Sequence, residues 1–248
     1  MSFYHDIFDL RGQSYNIAME RFPDAREVER SILLDLLVAQ PGEKIIDAPA
    51  GGGYLADELA RLGATPVCIE PSENFAQPLS GRFETYLSDI YNMPPLLCPV
   101  DKVGSLAGLH HLDHDQVQAF FDCSYRALKA GGVIAVADVL EGSPVAEFLN
   151  GPVDKWSETG HEGMFYKAHD FTGYLKRAGF RNITEKHEDF LWQFDCFDDL
   201  VTCCQLLFGL VKAEKVEIAS TLVEMLGVTE CERGVGLKWS LLYAKGEK

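Results

Sequence analysis

The amino-acid sequence predicts a doubly wound α/β fold with a mostly parallel sheet, and three observations support this prediction. Short apolar runs end in an acidic residue at Asp47, Glu70 and Asp89, as strands do that finish at one edge of such a sheet. A glycine-rich turn follows the first run, and a segment with leucines at helical spacing follows the turn. Alternating strands and helices are typical of open sheets with helices on both faces.

The glycine-rich turn occupies residues 49–53, between a strand that ends at Asp47 and a helix that begins at Tyr54. Because glycine has no Cβ atom, Gly51 and Gly53 can adopt positive φ and let a ligand lie against the main chain. The first N–H groups of the following helix are unpaired and point at such a ligand. The turn therefore predicts a nucleotide-sized site at the carboxyl edge of the sheet.

Two familiar nucleotide motifs do not fit this turn. The dinucleotide pattern G-x-G-x-x-G fails because Pro49 and Ala50 occupy its early glycine region and residues 54–56 contain no glycine. A P-loop is excluded because no G-K-S/T follows. A nicotinamide-dependent dehydrogenase is thus disfavoured, although it stays among the rival interpretations.

Glu70 narrows the choice of ligand. It ends the second strand, 23 residues after Asp47, at a position suited to a carboxylate that accepts hydrogen bonds from both ribose hydroxyls. A third strand leads into Ser88-Asp89-Ile90, and a fourth run over residues 101–109 leads into the pair His110-His111. A ligand that contains ribose is therefore expected.

Together these motifs resemble the class I S-adenosylmethionine-dependent methyltransferases, in particular the small-molecule branch similar to methyltransferase type 11. The resemblance covers about residues 28–140 and rests on IIDAPAGGG, the glutamate at the second strand end, SDI, DKVGSLAGLHHL and ALKAGGVIAVADV. It implies a Rossmann-like doubly wound sheet of seven strands, mostly parallel with an antiparallel edge strand. It also implies one methyltransferase domain over residues 1–248.

The resemblance implies S-adenosyl-L-methionine as the cofactor and assigns the residues that would bind it. Pro49 departs from the family, which more often has glycine there, and removes one N–H donor. The residues assigned to the methionine end are Asp47, Pro49, Ala50, Gly51 and Gly53, and those assigned to the ribose are Glu70 and the adjoining Pro71. Asp89 and Ile90 are assigned to the adenine, and Leu106 and Ala107 would lie beside the sulfonium.

His110 and His111 follow the fourth strand, beside the expected sulfonium, and are the candidates for a base or a substrate-orienting group. In the alternative interpretation, the first histidine braces the loop through a side-chain hydrogen bond. A metal site formed with His114 is weakly supported, because adjacent histidines project differently and no carboxylate–histidine pair lies at helical spacing. We therefore expect no metal.

Three segments are predicted to surround the acceptor: residues 1–26 as a lid, residues 140–167 as a substrate loop and residues 191–234 as a helical insertion before the last strand. For residues 1–26, a helix that merely covers the sheet is an equal alternative. The insertion would overhang the strand ends or extend a homodimer surface. Candidate substrate contacts are Tyr15, Asp138, Trp156, His161, Phe165 and Tyr166. In the alternative interpretation, each of the aromatic residues belongs to the hydrophobic core.

The expected function is methyl transfer to a small or carrier-bound organic acceptor, apolar or aromatic in character. Two alternatives remain: a regulatory or scaffold subunit that binds the cofactor without transferring methyl, and a repurposed member that catalyses a different reaction. The net charge of −16 disfavours nucleic acid as a partner. No membrane span or leader is apparent, so a cytoplasmic protein with reduced cysteines is expected.

Overall fold

The computed structural model describes residues 4–95 and 98–248, with side chains from residue 11 onwards. Phe3 and the side chains of Tyr4 and Phe8, which belong to the predicted lid, lie outside the described part. The helices are α1 Tyr4–Arg21, α2 Glu27–Leu37, α3 Tyr54–Arg61, α4 Glu73–Ser80, α5 His114–Ala127, α6 Pro144–Phe148, α7 Asp154–Trp156, α8 Asp170–Ala178, α9 Phe197–Phe208 and α10 Lys215–Thr221. The strands are β1 Lys44–Asp47, β2 Thr65–Glu70, β3 Glu84–Leu87, β4 Val100–Leu106, β5 Leu128–Asp138, β6 Arg181–Phe194, β7 Val228–Cys231 and β8 Gly234–Glu247.

One mixed sheet organises the chain, with the strand order β3-β2-β1-β4-β5-β8-β6. The strands β1 to β5 are parallel, and β8 is antiparallel to both β5 and β6. The predicted Rossmann-like, doubly wound sheet is thus confirmed. The antiparallel strand lies one position inside the edge, because β8 inserts between β5 and β6.

The long pair β6 and β8 extends well beyond the rest of the sheet. β5 pairs only with the second half of β8, from Leu242 to Glu247, whereas β6 pairs with β8 from Val235 onwards. The short strand β7 pairs with the first half of β8. The sequence did not predict β7, since its four residues lie in a segment that reads as helical.

Apolar cores cover both faces of the sheet. On one face, α2 and α9 pack against β6 and β8, and α3 packs against β1 and β2, with Leu33, Leu59 and Leu207 buried. On the other face, α5 and α8 contribute Phe120 and Phe171. Among residues 4–95 and 98–248, no helix combines the length and the apolar character that crossing a membrane requires.

Residues 140–167 are more regular than their glycines predicted. The chain is helical from Pro144 to Trp156, because a wide π-helical turn over Leu149–Val153 joins α6 to α7 and accommodates Pro152. Only the following residues, up to Tyr166, are irregular. The prediction of a loop is therefore wrong for the first half of this segment.

Candidate active site

The glycine turn lies at the carboxyl end of β1, as the sequence predicted. Asp47 accepts a hydrogen bond from the N–H of Ala56, at 3.0 Å, which ties the strand end to α3. Burial raises the pKa of the Asp47 carboxyl, and the negative charge of Glu70 adds to the effect. Gly51 and Gly53 have φ values of +52° and +95°, so the turn needs glycine at both positions.

Glu70 braces this turn from the neighbouring strand. One carboxylate oxygen accepts from the N–H of Gly51 at 2.7 Å, and the other accepts from the N–H of Ser72 at 2.8 Å. The side chain is fully buried. Glu70 therefore fixes the backbone of the site directly, a role that the spacing alone did not reveal, in addition to its predicted contact with the ribose.

The loop after β4 closes against the same turn. A Cβ atom on Gly108 would lie 2.3 Å from Cγ of Pro49, so only glycine fits beside that ring. Leu106 and Ala107, which precede Gly108, line the cavity beside the turn. The proline that departs from the family pattern is thus matched by a glycine on the facing loop.

Helix α1 lies over the glycine turn. A Cβ atom on Gly52 would lie 2.5 Å from Oδ1 of Asn16, and the ring of Tyr15 contacts Phe75 edge to face with centroids 5.6 Å apart. The guanidinium of Arg26 donates to the hydroxyl of Tyr15 at 3.2 Å. Tyr15 lines the cavity, in line with its predicted place near the substrate.

A single cavity connects the glycine turn to a wall of aromatic side chains. One side of the cavity is lined by four of the residues predicted at the methionine end of the cofactor and by the two residues predicted beside the sulfonium. The other side is lined by histidines and large aromatic rings. The residues that line it and bear on function are Tyr15, Asp47, Pro49, Ala50, Gly51, Leu106, Ala107, His110, His111, His161, Trp192, Phe208 and Trp239. The other predicted cofactor residues, Gly53, Glu70, Pro71, Asp89 and Ile90, lie outside this lining.

Asp138, at the end of β5, holds the loop that carries His110. Its carboxylate accepts from the N–H of Leu109 at 2.7 Å, from the N–H of His110 at 3.1 Å and from Nδ1 of His110 at 2.6 Å. The carboxylate is fully buried and does not line the cavity. The predicted substrate contact of Asp138 is therefore corrected: Asp138 positions His110, which corresponds to the bracing alternative for that histidine.

His161 joins His110 and His111 to form a cluster. The ring centroids of His110 and His111 are 4.2 Å apart, and that of His161 is 5.4 Å from the first and 5.5 Å from the second. The side chain of His161 is held in turn, because its Nδ1 lies 3.0 Å from Oδ1 of Asn150. The sequence predicted His161 near the substrate but did not group it with the adjacent pair.

Two of the three histidines in this cluster, His111 and His161, have lowered pKa values. Burial lowers the pKa of His161 to about 3 and lowers the pKa of His111 as well, and the neighbouring His110 and Arg11 act in the same direction. Asp138 and Asn150 accept from the Nδ1–H groups of His110 and His161, which assigns the lone pair of each ring to Nε2. His114 takes no part, since its ring contacts Tyr174 at 2.5 Å.

Trp156, Phe165 and Tyr166, the predicted substrate contacts with large aromatic rings in residues 140–167, lie in different places in the structure. Phe165 packs on the rings of His110 and His161, at 5.9 and 6.2 Å. Trp156 is half-buried in the core and does not line the cavity. Tyr166 is fully buried on the opposite face of the sheet, with its ring 4.4 Å from Phe171, so its assignment to the substrate is corrected.

The large aromatic rings that do line the cavity are those of Trp192, Phe208 and Trp239, which together form its aromatic wall. The rings of Trp192 and Trp239 stack with centroids 4.1 Å apart, and Phe208 stacks on both at 6.2 and 5.9 Å. Trp192 and Phe208 lie in the segment predicted as an insertion, residues 191–234, whereas Trp239 lies after it. An available signal for Trp239 was the apolar alternation of Leu237, Trp239 and Leu241 along β8.

A buried ion pair holds this wall in place. Arg26 pairs with Glu29, and both side chains are almost completely buried. The indole N–H of Trp192 donates to Glu29 at 2.8 Å, and the hydroxyl of Tyr243 donates to the backbone carbonyl of Glu29 at 2.9 Å. Since Arg26 also contacts Tyr15, the same pair links the wall to α1.

The strand order and the glycine turn at the end of β1 define the fold of the class I methyltransferases. The family model for a methyltransferase domain matches residues 20–185, which is more than half of the chain. The chain therefore belongs to this family, the S-adenosylmethionine-dependent methyltransferases. The methyl donor of the family, S-adenosylmethionine, is the cofactor that the resemblance implied.

Individual relatives agree with this assignment. The chain is 29% identical over 109 residues to an uncharacterized methyltransferase of Synechocystis sp., covering 43% of the chain and 51% of the relative. It is 29% identical over 175 residues to the arsenite methyltransferase of Halobacterium salinarum, covering 64% and 44%. The chain thus spans about half the length of these curated relatives. A methyltransferase structure from Thermotoga maritima matches the fold with a TM-score of 0.66, at 16% identity and with 98% of both chains covered.

Proposed function

We propose that the protein transfers the methyl group of S-adenosylmethionine to a small organic acceptor that binds between the histidine cluster and the aromatic wall. The observation that carries this proposal is the cavity, because it joins the predicted methionine and sulfonium contacts to a set of side chains that the cofactor does not need. Pockets of this composition, mostly apolar with a few polar groups, are typical of small-molecule sites.

The aromatic wall supports an apolar or aromatic acceptor. Trp192 and Trp239 are 1% and 5% exposed, so the wall presents large apolar rings that are already held in place. Helix α1 covers the opposite side, through Tyr15. A cavity bounded by the wall on one side and by α1 on the other favours a free small molecule over a group attached to a bulky carrier. The relative from Halobacterium salinarum is likewise named for a small acceptor, arsenite.

The protein's own contribution to the reaction is alignment and exclusion of water. The sulfonium of the bound cofactor supplies an activated methyl group, so transfer requires an acceptor lone pair in line with it. Leu106 and Ala107 lie beside the expected sulfonium, and His110 follows four residues after Leu106 on the loop that Asp138 holds. The Nε2 lone pair of His110 then accepts a hydrogen bond, or the proton, from the acceptor.

A matched pair of tryptophan variants tests where the acceptor binds. Trp192→Phe changes the cavity wall, whereas Trp156→Phe changes a half-buried tryptophan that does not line it. We expect the first variant to raise the KM for the acceptor about tenfold, because part of a buried apolar contact worth 1–2 kcal/mol is lost. The affinity for S-adenosylhomocysteine should stay unchanged in both variants.

The acceptor is first identified by incubating the purified protein with 13C-methyl-labelled S-adenosylmethionine and a panel of small phenols, amines, thiols and heteroaromatic compounds. Mass spectrometry then detects labelled products. If calorimetry shows cofactor binding but no compound in the panel or in a small-molecule cell extract becomes labelled, methyl transfer is rejected in favour of a cofactor-binding role. If Trp156→Phe raises the KM as much as Trp192→Phe does, the acceptor does not bind at the wall.

A further inference from the structure

We propose that His110, His111 and His161 bind one divalent first-row transition metal ion, of which Zn²⁺ is the best match, beside the methyl-transfer site. The proposal rests on the proposed function only for the role of the metal, since the site itself is built from the three side chains. The sequence alone offered only His114 as a partner for the adjacent pair, and the expectation of no metal was based on that set.

The three nitrogen ligands are already close together. One nitrogen from each ring lies within 4.8 Å of the others. Zn–N bonds of about 2.0–2.1 Å in a tetrahedral site place the nitrogens about 3.4 Å apart, so closure needs a shift of roughly 1–1.5 Å at the widest pair. His111 is the least buried of the three and lies on a short helical turn, where a side-chain rotation can supply this shift.

Two of the ligands have the supporting contacts that metal-binding histidines have. A histidine that binds a metal usually donates its other N–H to a carboxylate or carbonyl oxygen, which fixes the ring and its tautomer. Nδ1 of His110 contacts Asp138 at 2.6 Å, and Nδ1 of His161 contacts the amide oxygen of Asn150 at 3.0 Å. The Nε2 lone pairs of His110 and His161 would both bind the metal, so a bound ion takes over from His110 the activation of the acceptor. The carboxylate behind His110 adds negative charge.

The cluster also leaves room for a further ligand. All three histidines line the cavity that contains Leu106 and Ala107, so the open side of the site faces the expected sulfonium. Three histidines and one open position form the ligand set of catalytic zinc sites. An oxygen, nitrogen or sulfur atom of the acceptor would complete the coordination and be polarised beside the methyl group.

Arg11 works against the metal and thereby limits which ion can bind. Its guanidinium lines the same cavity, and its positive charge lowers the pKa values of His111 and His161. The same charge repels a cation, while neutral imidazoles supply no charge of their own. Ions with high intrinsic affinity for imidazole, such as Zn²⁺ and Co²⁺, are therefore expected, and Mg²⁺ and Ca²⁺ are not.

The test is a titration of the purified chain of 248 residues, stripped with a chelator, with CoCl₂ and separately with ZnCl₂. We expect one ion per chain, with the intense visible absorption of tetrahedral Co²⁺ and its displacement by Zn²⁺. His161→Ala and His111→Ala should each weaken binding at least tenfold, and Asn150→Ala should weaken it about 10- to 100-fold through the lost support of His161. His187→Ala, at an exposed position of β6, is the control and should bind as the unaltered chain does.

Binding of S-adenosylhomocysteine, measured by calorimetry on every variant, separates this proposal from the function. A variant that binds S-adenosylhomocysteine normally but has lost Co²⁺ supports the metal site. If the unaltered chain binds S-adenosylhomocysteine but neither metal, or if all histidine variants retain Co²⁺ as His187→Ala does, the metal site is rejected while the function stands. Absence of S-adenosylhomocysteine binding with Co²⁺ binding intact rejects the proposed function alone.

Discussion

Glu70 illustrates how one buried carboxylate can serve both the backbone and a ligand. Its two oxygens accept from the N–H groups of Gly51 and Ser72, so the turn and the start of the next loop depend on it. A carboxylate has further lone pairs available, and these can accept from ribose hydroxyls. We therefore expect the shape of the cradle and the recognition of the ribose to be coupled through one side chain.

The first prediction is that Glu70→Ala weakens the binding of S-adenosylmethionine about 10- to 100-fold. Loss of charge-assisted hydrogen bonds to two hydroxyls removes about 1.5–3 kcal/mol. Isothermal titration calorimetry measures the change. Glu73→Ala is the control, since Glu73 is an exposed glutamate in the first turn of α4. Equal affinity in the two variants would show that the ribose lies elsewhere.

The sequence predicted single residues well where chemistry follows the order of strands. Asp47 and Glu70 were found because strand ends in a parallel sheet share one edge. His161 was not grouped with His110 because about fifty residues separate them in the sequence. The contact between them depends on the path of residues 140–167, and nothing in the local pattern encodes that path.

The turn after β1 and the loop after β4 fit together as a pair of elements. Pro49 fills the space that a side chain on Gly108 would need. The turn therefore keeps its position although it lacks the usual glycine. Neither residue can be interpreted correctly without the other.

We predict that Gly108→Ala weakens cofactor binding about 5- to 100-fold, because the new methyl group must displace Pro49 at an overpacking cost of about 1–3 kcal/mol. Gly173→Ala is the matched control: Gly173 lies inside α8 with ordinary helical φ and only the flexible tip of Arg177 nearby. That control should bind the cofactor normally and be slightly more stable. Calorimetry measures the binding of S-adenosylhomocysteine to both variants. Unchanged affinity in Gly108→Ala would mean that the turn accommodates the added methyl group without loss of cofactor binding.

At the level of elements, the first four predicted strands, the helix α3 after the glycine turn and the helices α9 and α10 of the predicted insertion agree with the structure. The prediction was wrong where glycine and proline were taken to end regular structure, as in Leu149–Val153. A π-helical turn provides a wider ring there, so Pro152 stays within a helical path. Local composition does not distinguish this solution from a loop.

The whole molecule should be stabilised by its cofactor product. A ligand at 100 times its Kd adds about 2.7 kcal/mol to the free energy of unfolding when it binds only the folded state. For a chain of 248 residues, this corresponds to a rise in Tm of about 5–11 °C. We predict such a rise with S-adenosylhomocysteine by differential scanning fluorimetry, and a much smaller one for Glu70→Ala at the same ligand concentration. An equal rise in both proteins would show that Glu70 is not needed for binding.

The overall topology was predictable because it depends on patterns that persist along the chain, namely alternating strands and helices with acids at the strand ends. The acceptor side was less predictable for a physical reason. Trp192, Phe208 and Trp239 lie on β6, α9 and β8, and only the long overhang of β6 and β8 beyond β5 brings them together. The wall therefore depends on the long-range pairing of these strands and not on the local sequence preference of any one segment.

The position of α1 has a kinetic consequence. Tyr15 and Asn16 lie against the cradle, so a cofactor bound there is covered by this helix. A methyl donor is consumed in every cycle, and its spent form must leave before the next molecule enters. We therefore expect each cycle to require a displacement of α1, and the frequency of that displacement would set an upper limit on kcat. Enzyme loaded in advance with donor should complete its first turnover faster than all later ones.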